Sequence, residues 1–189
     1  MAPIYDLFTL PVSGVRSKVV DLVDAKKGSR ILDVCTGTGQ QAFAFGRGGY
    51  TVVGIDLSED MLKIAGRKNR YKNVGFRVAD ASRMPFEDKC FDVSCISFGL
   101  HDMPYEVRGR VLDEMKRVSE RVVIIDYNIP KNKLRRWLHV SITSLYESKY
   151  YRDFAGRDIK DLLRQHDLEV IKESSGLIDF VKILICDVT

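Results

Sequence analysis

Three aspartates and two glycines have the types and spacing to hold a nucleoside ligand. In LDVCTGTGQQA an apolar strand ends at Asp33, and Gly37 and Gly39 turn the chain into a helix. Glycines permit positive φ and let a ligand reach the backbone with no Cβ in the way. Asp56 ends a second strand, TVVGID, with Leu57 beside it, and Asp80 and Ala81 close a third, VGFRVA. In open α/β sheets ligands sit at the carboxyl ends of the strands, over the first turn, where Asp56 can accept hydrogen bonds from both hydroxyls of a ribose. Asp80 supplies an acceptor for an adenine amino group. The run Gly37 to Ala42 also matches G-x-G-x-x-A, the dinucleotide fingerprint, so an NAD(P)-dependent oxidoreductase is the rival reading. Asp33 separates the two. Across the turn it would repel a pyrophosphate but attract the ammonium and sulfonium of S-adenosylmethionine. Local roles stay open for each acid alone, with Asp56 capping a helix begun at Ser58 and Asp80 capping a turn before Ser82.

On the acceptor side, His101 follows the fourth strand at the same sheet edge, and its ordinary pKa suits a general base. Local packing is the equal alternative. Asp102 reads better as the N-cap of a helix begun at Pro104 than as a catalytic partner. Lys131, Lys133, Arg135 and Arg136 open a helix whose apolar stripe runs through Trp137, Leu138, Ile142 and Leu145. Cations there oppose the helix macrodipole, so an anionic partner, a membrane surface or an acidic substrate, would favour them. A solvated end on a lid helix is the alternative. Tyr146, Tyr150, Tyr151 and Arg152 follow, as acceptor-pocket candidates or as packing. His139 and His166 receive no role.

The elements that must position these residues alternate. A helix over 14–26, capped by Ser13 and closed at Gly28, precedes strands at 30–35, 51–56, 74–79, 91–98 and 121–126. Between them lie a short helix dying at Gly46, Gly48 and Gly49, a helix from Ser58 to about Arg67, and an amphipathic helix over 105–118. Helices near 132–148 and 157–166 and strands at 168–174 and 179–187 complete the chain. The strands are apolar rather than alternating, which requires a parallel sheet covered on both faces. The last two are joined by a turn too short for a helical crossover, so they pair as an antiparallel hairpin.

Length and composition agree. The 189 residues suit one domain, with 45% hydrophobic and 30% charged residues. A net charge of +4, from 30 basic and 26 acidic residues, is too mild to indicate nucleic acid. No apolar run reaches the roughly 20 residues of a membrane span, and Met1 to Leu10 lacks a signal-peptide pattern. Cys35, Cys90, Cys95 and Cys186 form no C-x-x-C pair and read as reduced structural thiols, which fits the cytoplasm, with no metal expected.

LDVCTGTGQ, GIDLSEDMLKIA, VADASRMPFEDKCFDVSCISFGLHDMP and DEMKRVS, with Tyr5-Asp6 near the start, resemble the ubiquinone/menaquinone biosynthesis C-methyltransferases (UbiE/MenG-like) within the class I S-adenosylmethionine-dependent methyltransferases. The likeness runs from about residue 5 to 185 and is strongest from 30 to 118. It implies a Rossmann-like, seven-stranded, mostly parallel sheet with the last strand inserted antiparallel, in a single domain over 1–189. Residues 1–28 would form an N-terminal cap helix and 131–156 an acceptor-side lid. The resemblance places Asp33, Gly37 and Gly39 at the methionine part, Asp56 at the ribose, and Asp80 with Ala81 at the adenine, with Leu57 also among the cofactor-binding residues. Ser97 and Phe98 would line the cofactor, and Tyr5, Asp102, Trp137, Tyr146, Tyr150 and Arg152 the small-molecule acceptor. Three features depart from the family pattern. Gln40 stands where an acid is common, Ser119-Glu120-Arg121 replaces a lysine-proline-glycine-glycine loop, and His101-Asp102 replaces arginine-asparagine. These leave the donor site intact and loosen the assignment of a quinone acceptor. A non-catalytic S-adenosylmethionine-binding protein is a third reading. A base-directed nucleic-acid enzyme is disfavoured because ISFGLHD lacks the Asn/Asp-Pro-Pro-aromatic motif.

Overall fold

The computed structural model describes residues 13–176 and 179–188. Tyr5 and residues 1–12 of the expected cap segment lie outside them. In chain order the elements are α1 (Ser13–Val23), β1 (Arg30–Val34), α2 (Gln40–Arg47), β2 (Thr51–Asp56), α3 (Glu59–Lys68), β3 (Val74–Val78) and β4 (Phe91–Ser97). A 3-10 turn (Leu100–Asp102) follows, then α4 (Tyr105–Val118), β5 (Ser119–Tyr127), α5 (Lys133–Thr143), α6 (Tyr151–Gly156), α7 (Ile159–Gln165), β6 (Leu168–Gly176) and β7 (Val181–Val188).

The seven strands form one sheet ordered β3-β2-β1-β4-β5-β7-β6. β7 runs antiparallel to both of its neighbours, β5 and β6, and the other pairs are parallel, as the apolar strands and terminal hairpin require. Strand side chains alternate between two cores. Leu32, Val34, Ile96, Val122 and Ile124 pack with Val111, Leu112 and Met115 of α4 on one face. Ile31, Val93, Val123 and Ile125 pack with Val15, Val19 and Val23 of α1 and Phe43 and Phe45 of α2 on the other. Each fully buried aliphatic side chain contributes on the order of 2 kcal/mol by leaving water.

Several boundaries differ from those expected. α1 ends at Val23, where Asp24 adopts φ 47°, so Lys26 and Lys27 lie beyond it and Gly28 serves the turn into β1 instead. A short polar side chain tolerates that left-handed conformation. β1 continues past Asp33 to Val34, while β3 stops at Val78 and leaves Asp80 in the following loop. Asp102 belongs to the 3-10 turn and caps nothing; Pro104 is the N-cap of α4 and makes no side-chain bond. The helix expected over 132–148 stops at Thr143, and a separate α6 follows the turn at 144–150. No described helix is long and apolar enough to cross a membrane.

Candidate functional site

The carboxyl ends of β1, β2 and β4 share one edge of the parallel sheet, and the glycine turn rises from it. Cys35 leaves β1 at φ 55°, and the Thr36 N–H reaches the Ile55 carbonyl at 2.9 Å. Gly37 (φ 53°) and Gly39 (φ 83°) then lead into α2. Their roles differ. A Cβ on Gly37 would enter open space, whereas one on Gly39 would meet Phe76 Cζ at 2.8 Å and Phe43 Cζ at 3.0 Å. Gly37 thus leaves room for a ligand, and Gly39 is demanded by packing.

Asp56 stitches this turn to the next helix. Its Oδ2 accepts the Gly37 N–H and its Oδ1 the Ser58 N–H, each at 2.9 Å. Ser58 Oγ in turn accepts the Met61 N–H, capping α3. The local role and the rim position therefore coexist, and each carboxylate oxygen keeps a further lone pair for a ligand hydroxyl. Asp80 is exposed, and its Oδ1 accepts the Ser82 N–H and Oγ–H at 2.8 Å. Leu57 is 69% exposed beside them, and Ala81 is buried.

Asp33 departs from the expected open position. It is buried beneath the turn, its Oδ2 accepts the Thr36 hydroxyl at 2.5 Å, and its Oδ1 has no hydrogen-bond partner among the described residues. Burial pushes its carboxyl up to about 7, against the Thr36 hydrogen bond, which favours the ionised form. An orphaned buried oxygen favours an approaching cation. At the end of β4 the buried Ser97 Oγ is likewise unpartnered, and Phe98 adopts φ 53°. Left-handed bulky residues are strained and collect at functional sites.

His101 is hydrogen-bonded locally, the alternative set beside the base reading. It is 4% exposed; Nδ1 lies 2.7 Å from Asp126 Oδ1 and Nε2 3.1 Å from Glu147 Oε2. Burial alone would push its pKa down, but the two carboxylates overcome this and hold it up to about 10. Both ring nitrogens are thus committed to carboxylates. Glu147 also accepts the Tyr127 hydroxyl at 2.5 Å and is held below the usual carboxylate range: burial opposes this, but the His101 and Tyr127 hydrogen bonds win.

Around this ion pair the rings gather. Tyr127 has His101 at 4.9 Å, Tyr151 at 5.2 Å, Phe180 at 5.3 Å and Phe98 at 5.6 Å between centroids. His139 bonds the Tyr151 hydroxyl at 2.7 Å, and burial pushes its pKa down. The expected acceptor residues do not converge. Trp137 and Tyr146 are 66% and 62% exposed, and Asp102 and Arg152 are exposed. Tyr150 is half-buried, and its carbonyl accepts from Arg108 at 3.1 Å. Tyr151, not Tyr150, is the buried tyrosine.

Sequence reasoning missed Asp126, Tyr127, Glu147 and His139. Asp126-Tyr127 ends β5 on the same edge as Asp33 and Asp56, so the rule that selected those two also points to this pair. Arg108 was also missed. It is buried on α4, donates to Leu100 O at 2.8 Å and Asp153 Oδ2 at 2.8 Å, and so fixes the turn bearing His101.

A doubly covered, mostly parallel sheet with β7 reversed between β5 and β6 is a Rossmann-like fold of the class I methyltransferase type. Residues 31–121 match the family described as methyltransferase domain. The chain is UbiE/MenG-like in sequence. It is 37% identical over 147 residues to demethylmenaquinone methyltransferase of Paenarthrobacter aurescens (strain TC1), covering 74% of this chain and 56% of that protein. It is 40% identical over 113 residues to the protein of the same name from Clavibacter sepedonicus, covering 58% and 45%. The chain thus spans about half the length of the curated relatives it matches. Its fold is similar to a protein of Pyrococcus horikoshii OT3 (TM-score 0.72, 22% identity, 98% of this chain and 91% of that one). It is also similar to magnesium protoporphyrin IX methyltransferase from Synechocystis PCC 6803 with bound SAH (TM-score 0.72, 17% identity, 95% and 84%).

Proposed function

We propose that this chain, acting as one domain, transfers a methyl group from S-adenosylmethionine to a small, lipophilic, quinone-like acceptor. The observation that carries the reading is the open Gly37 turn, tied to Asp56 and underlain by the orphaned Asp33 oxygen. Gly37, Gly39 and, through its field, Asp33 hold the methionine part. Asp56 and Leu57 hold the ribose side, Asp80 and Ala81 take the adenine, and Ser97 and Phe98 face the methyl group. A bound donor supplies an electrophilic methyl; the chain positions donor and acceptor in line and excludes water. The names of the relatives support the acceptor class.

The acceptor side is the aromatic cluster around Tyr127, roofed by residues 131–156. His101 enters as a fixed cation and positioning residue holding Asp126 and Glu147, not as a base. Peripheral contact with a membrane through residues 131–145 belongs to this reading, in an otherwise cytoplasmic protein.

Calorimetry tests it. S-adenosylmethionine and its demethylated product should bind with one-to-one stoichiometry, and Asp56→Ala should remove most of the affinity. Tight NADH binding instead would restore the oxidoreductase reading, against which the reversed β7 already speaks, since dinucleotide folds of this type use the order 3-2-1-4-5-6. Donor binding without turnover on any lipid or metabolite extract would leave the non-catalytic binding protein.

A further inference from the structure

Helices in globular proteins are held mainly by burying an apolar stripe. α5 turns its stripe outward. Leu134, Trp137, Leu138 and Ile142, at helical spacing, are 73%, 66%, 53% and 51% exposed, and Leu145 just beyond is 84% exposed. Thr143 is the one buried residue of this helix. Polar bonds help attach it to the body: Arg136 donates to the Ala155 carbonyl, and His139 bonds Tyr151.

The charge pattern is equally one-sided. No acidic residue occurs between Asp126 and Glu147, while Lys131, Lys133, Arg135 and Arg136 cluster at the helix start. Lys131, Lys133 and Arg135 are exposed and make no ion pair among the described residues. They sit at the positive end of the macrodipole, which costs stability unless an anion is near.

We infer that the outer face of α5 docks onto a lipid surface carrying anionic headgroups, its apolar stripe entering the interface and Lys131, Lys133 and Arg135 contacting the headgroups. Charge complementarity selects this occupant. A second copy meeting face to face would set cations against cations. Residues 1–12 carry a single carboxylate, Asp6, against four cations. A basic amphipathic face with Trp and Leu is the composition that lies in the interface plane. The inner side of the same helix carries His139, which packs at 6.1 Å from Tyr127 and 5.1 Å from Phe180. Docking therefore sets the roof of the aromatic cluster against the bilayer, and a lipophilic acceptor reaches it without crossing water. This deepens the proposed acceptor class, but its test needs neither donor nor acceptor.

Trp137 is the only tryptophan, so its fluorescence reports this face alone. On titration with phosphatidylcholine vesicles containing phosphatidylglycerol, its emission should move to the blue, and added salt should reverse the shift. Pure phosphatidylcholine vesicles should give little change. Lys131→Gln, Lys133→Gln and Arg135→Gln together should weaken partition on the order of 100-fold, about fivefold per cation. Leu138→Glu should also weaken it, with the circular dichroism unchanged. No shift with anionic vesicles, or an equal shift with neutral ones, overturns the inference. So does a dimer in sedimentation that Leu138→Glu dissolves while vesicles leave the emission unmoved. If donor binding fails in calorimetry while vesicles still move the emission, the methyltransferase reading falls and the docking surface stands.

Discussion

Asp33→Asn should make the ligand-free protein more stable at neutral and alkaline pH while weakening donor binding. The folded carboxyl titrates at about 7 against an ordinary value of 3.8. Folding therefore takes up a proton between these values, and stability falls as pH rises from about 4 to 7. At 1.36 kcal/mol per unit, the roughly three-unit shift costs at most about 4 kcal/mol above pH 7. Asparagine cannot ionise and keeps an oxygen for the Thr36 hydroxyl, but its buried amide N–H groups cost about 1–3 kcal/mol if unpaired. The net gain at pH 8 is then about 1–3 kcal/mol, several degrees in Tm for a chain of this size. The decisive readout is the gap between wild type and variant, in which all other titrations cancel. From pH 5 to pH 8 it should widen by roughly 2.5 kcal/mol in favour of the variant. Saturating S-adenosylmethionine should reverse the order, because only the wild type offers an anion to the sulfonium. A gap in urea-melt stability that stays flat from pH 5 to pH 8 would falsify the argument.

The two turn glycines should separate in a parallel experiment. Gly37→Ala should cost only about 1–2 kcal/mol of left-handed strain yet sharply reduce donor affinity, whereas Gly39→Ala should lose more stability because its Cβ meets Phe76 at 2.8 Å. Equal stability losses in thermal melts would refute that division. Arg108→Met should cost about 3 kcal/mol in urea unfolding, since it strips the donors from the Leu100 and Tyr150 carbonyls. His101, raised to about 10 from 6.5, contributes stability that is complete below about pH 6.5 and is lost as pH climbs through 10. Nitrogen-proton NMR should show both ring nitrogens protonated at pH 8, and a neutral tautomer there would contradict the ion-pair assignment.

Periodicity and strand-end position made most of this molecule readable in advance. The strands showed themselves as apolar runs because both faces are covered, and α3 and α4 because their stripes and caps are local features. Asp56 and Gly37 were legible for the same reason: a strand end and a turn announce themselves in neighbouring residues. The acceptor side was not, because its geometry depends on residues far apart in sequence. His101 read as a base because nothing near it in the chain reveals Asp126 or Glu147, which lie 25 and 46 residues away. Arg108 lies on the buried face of α4, at helical spacing with Val111, Leu112 and Met115, and only the arrival of Asp153 and two carbonyls makes its burial tolerable. Asp33 lies one residue inside the end of β1 and deeper than its position in the chain suggests, since sequence gives the strand and not the depth.

The reversed β7 bears on synthesis as well as on shape. While the ribosome is still making the C-terminal hairpin, β5 has β4 on one side and nothing on the other, so Val122 to Ile125 present a bare apolar edge. β6 is made before β7 yet bonds to the sheet only through it. The interval before β7 slots between them is thus the window in which a nascent chain could recruit a stray strand, and a chaperone that shields this edge would act there.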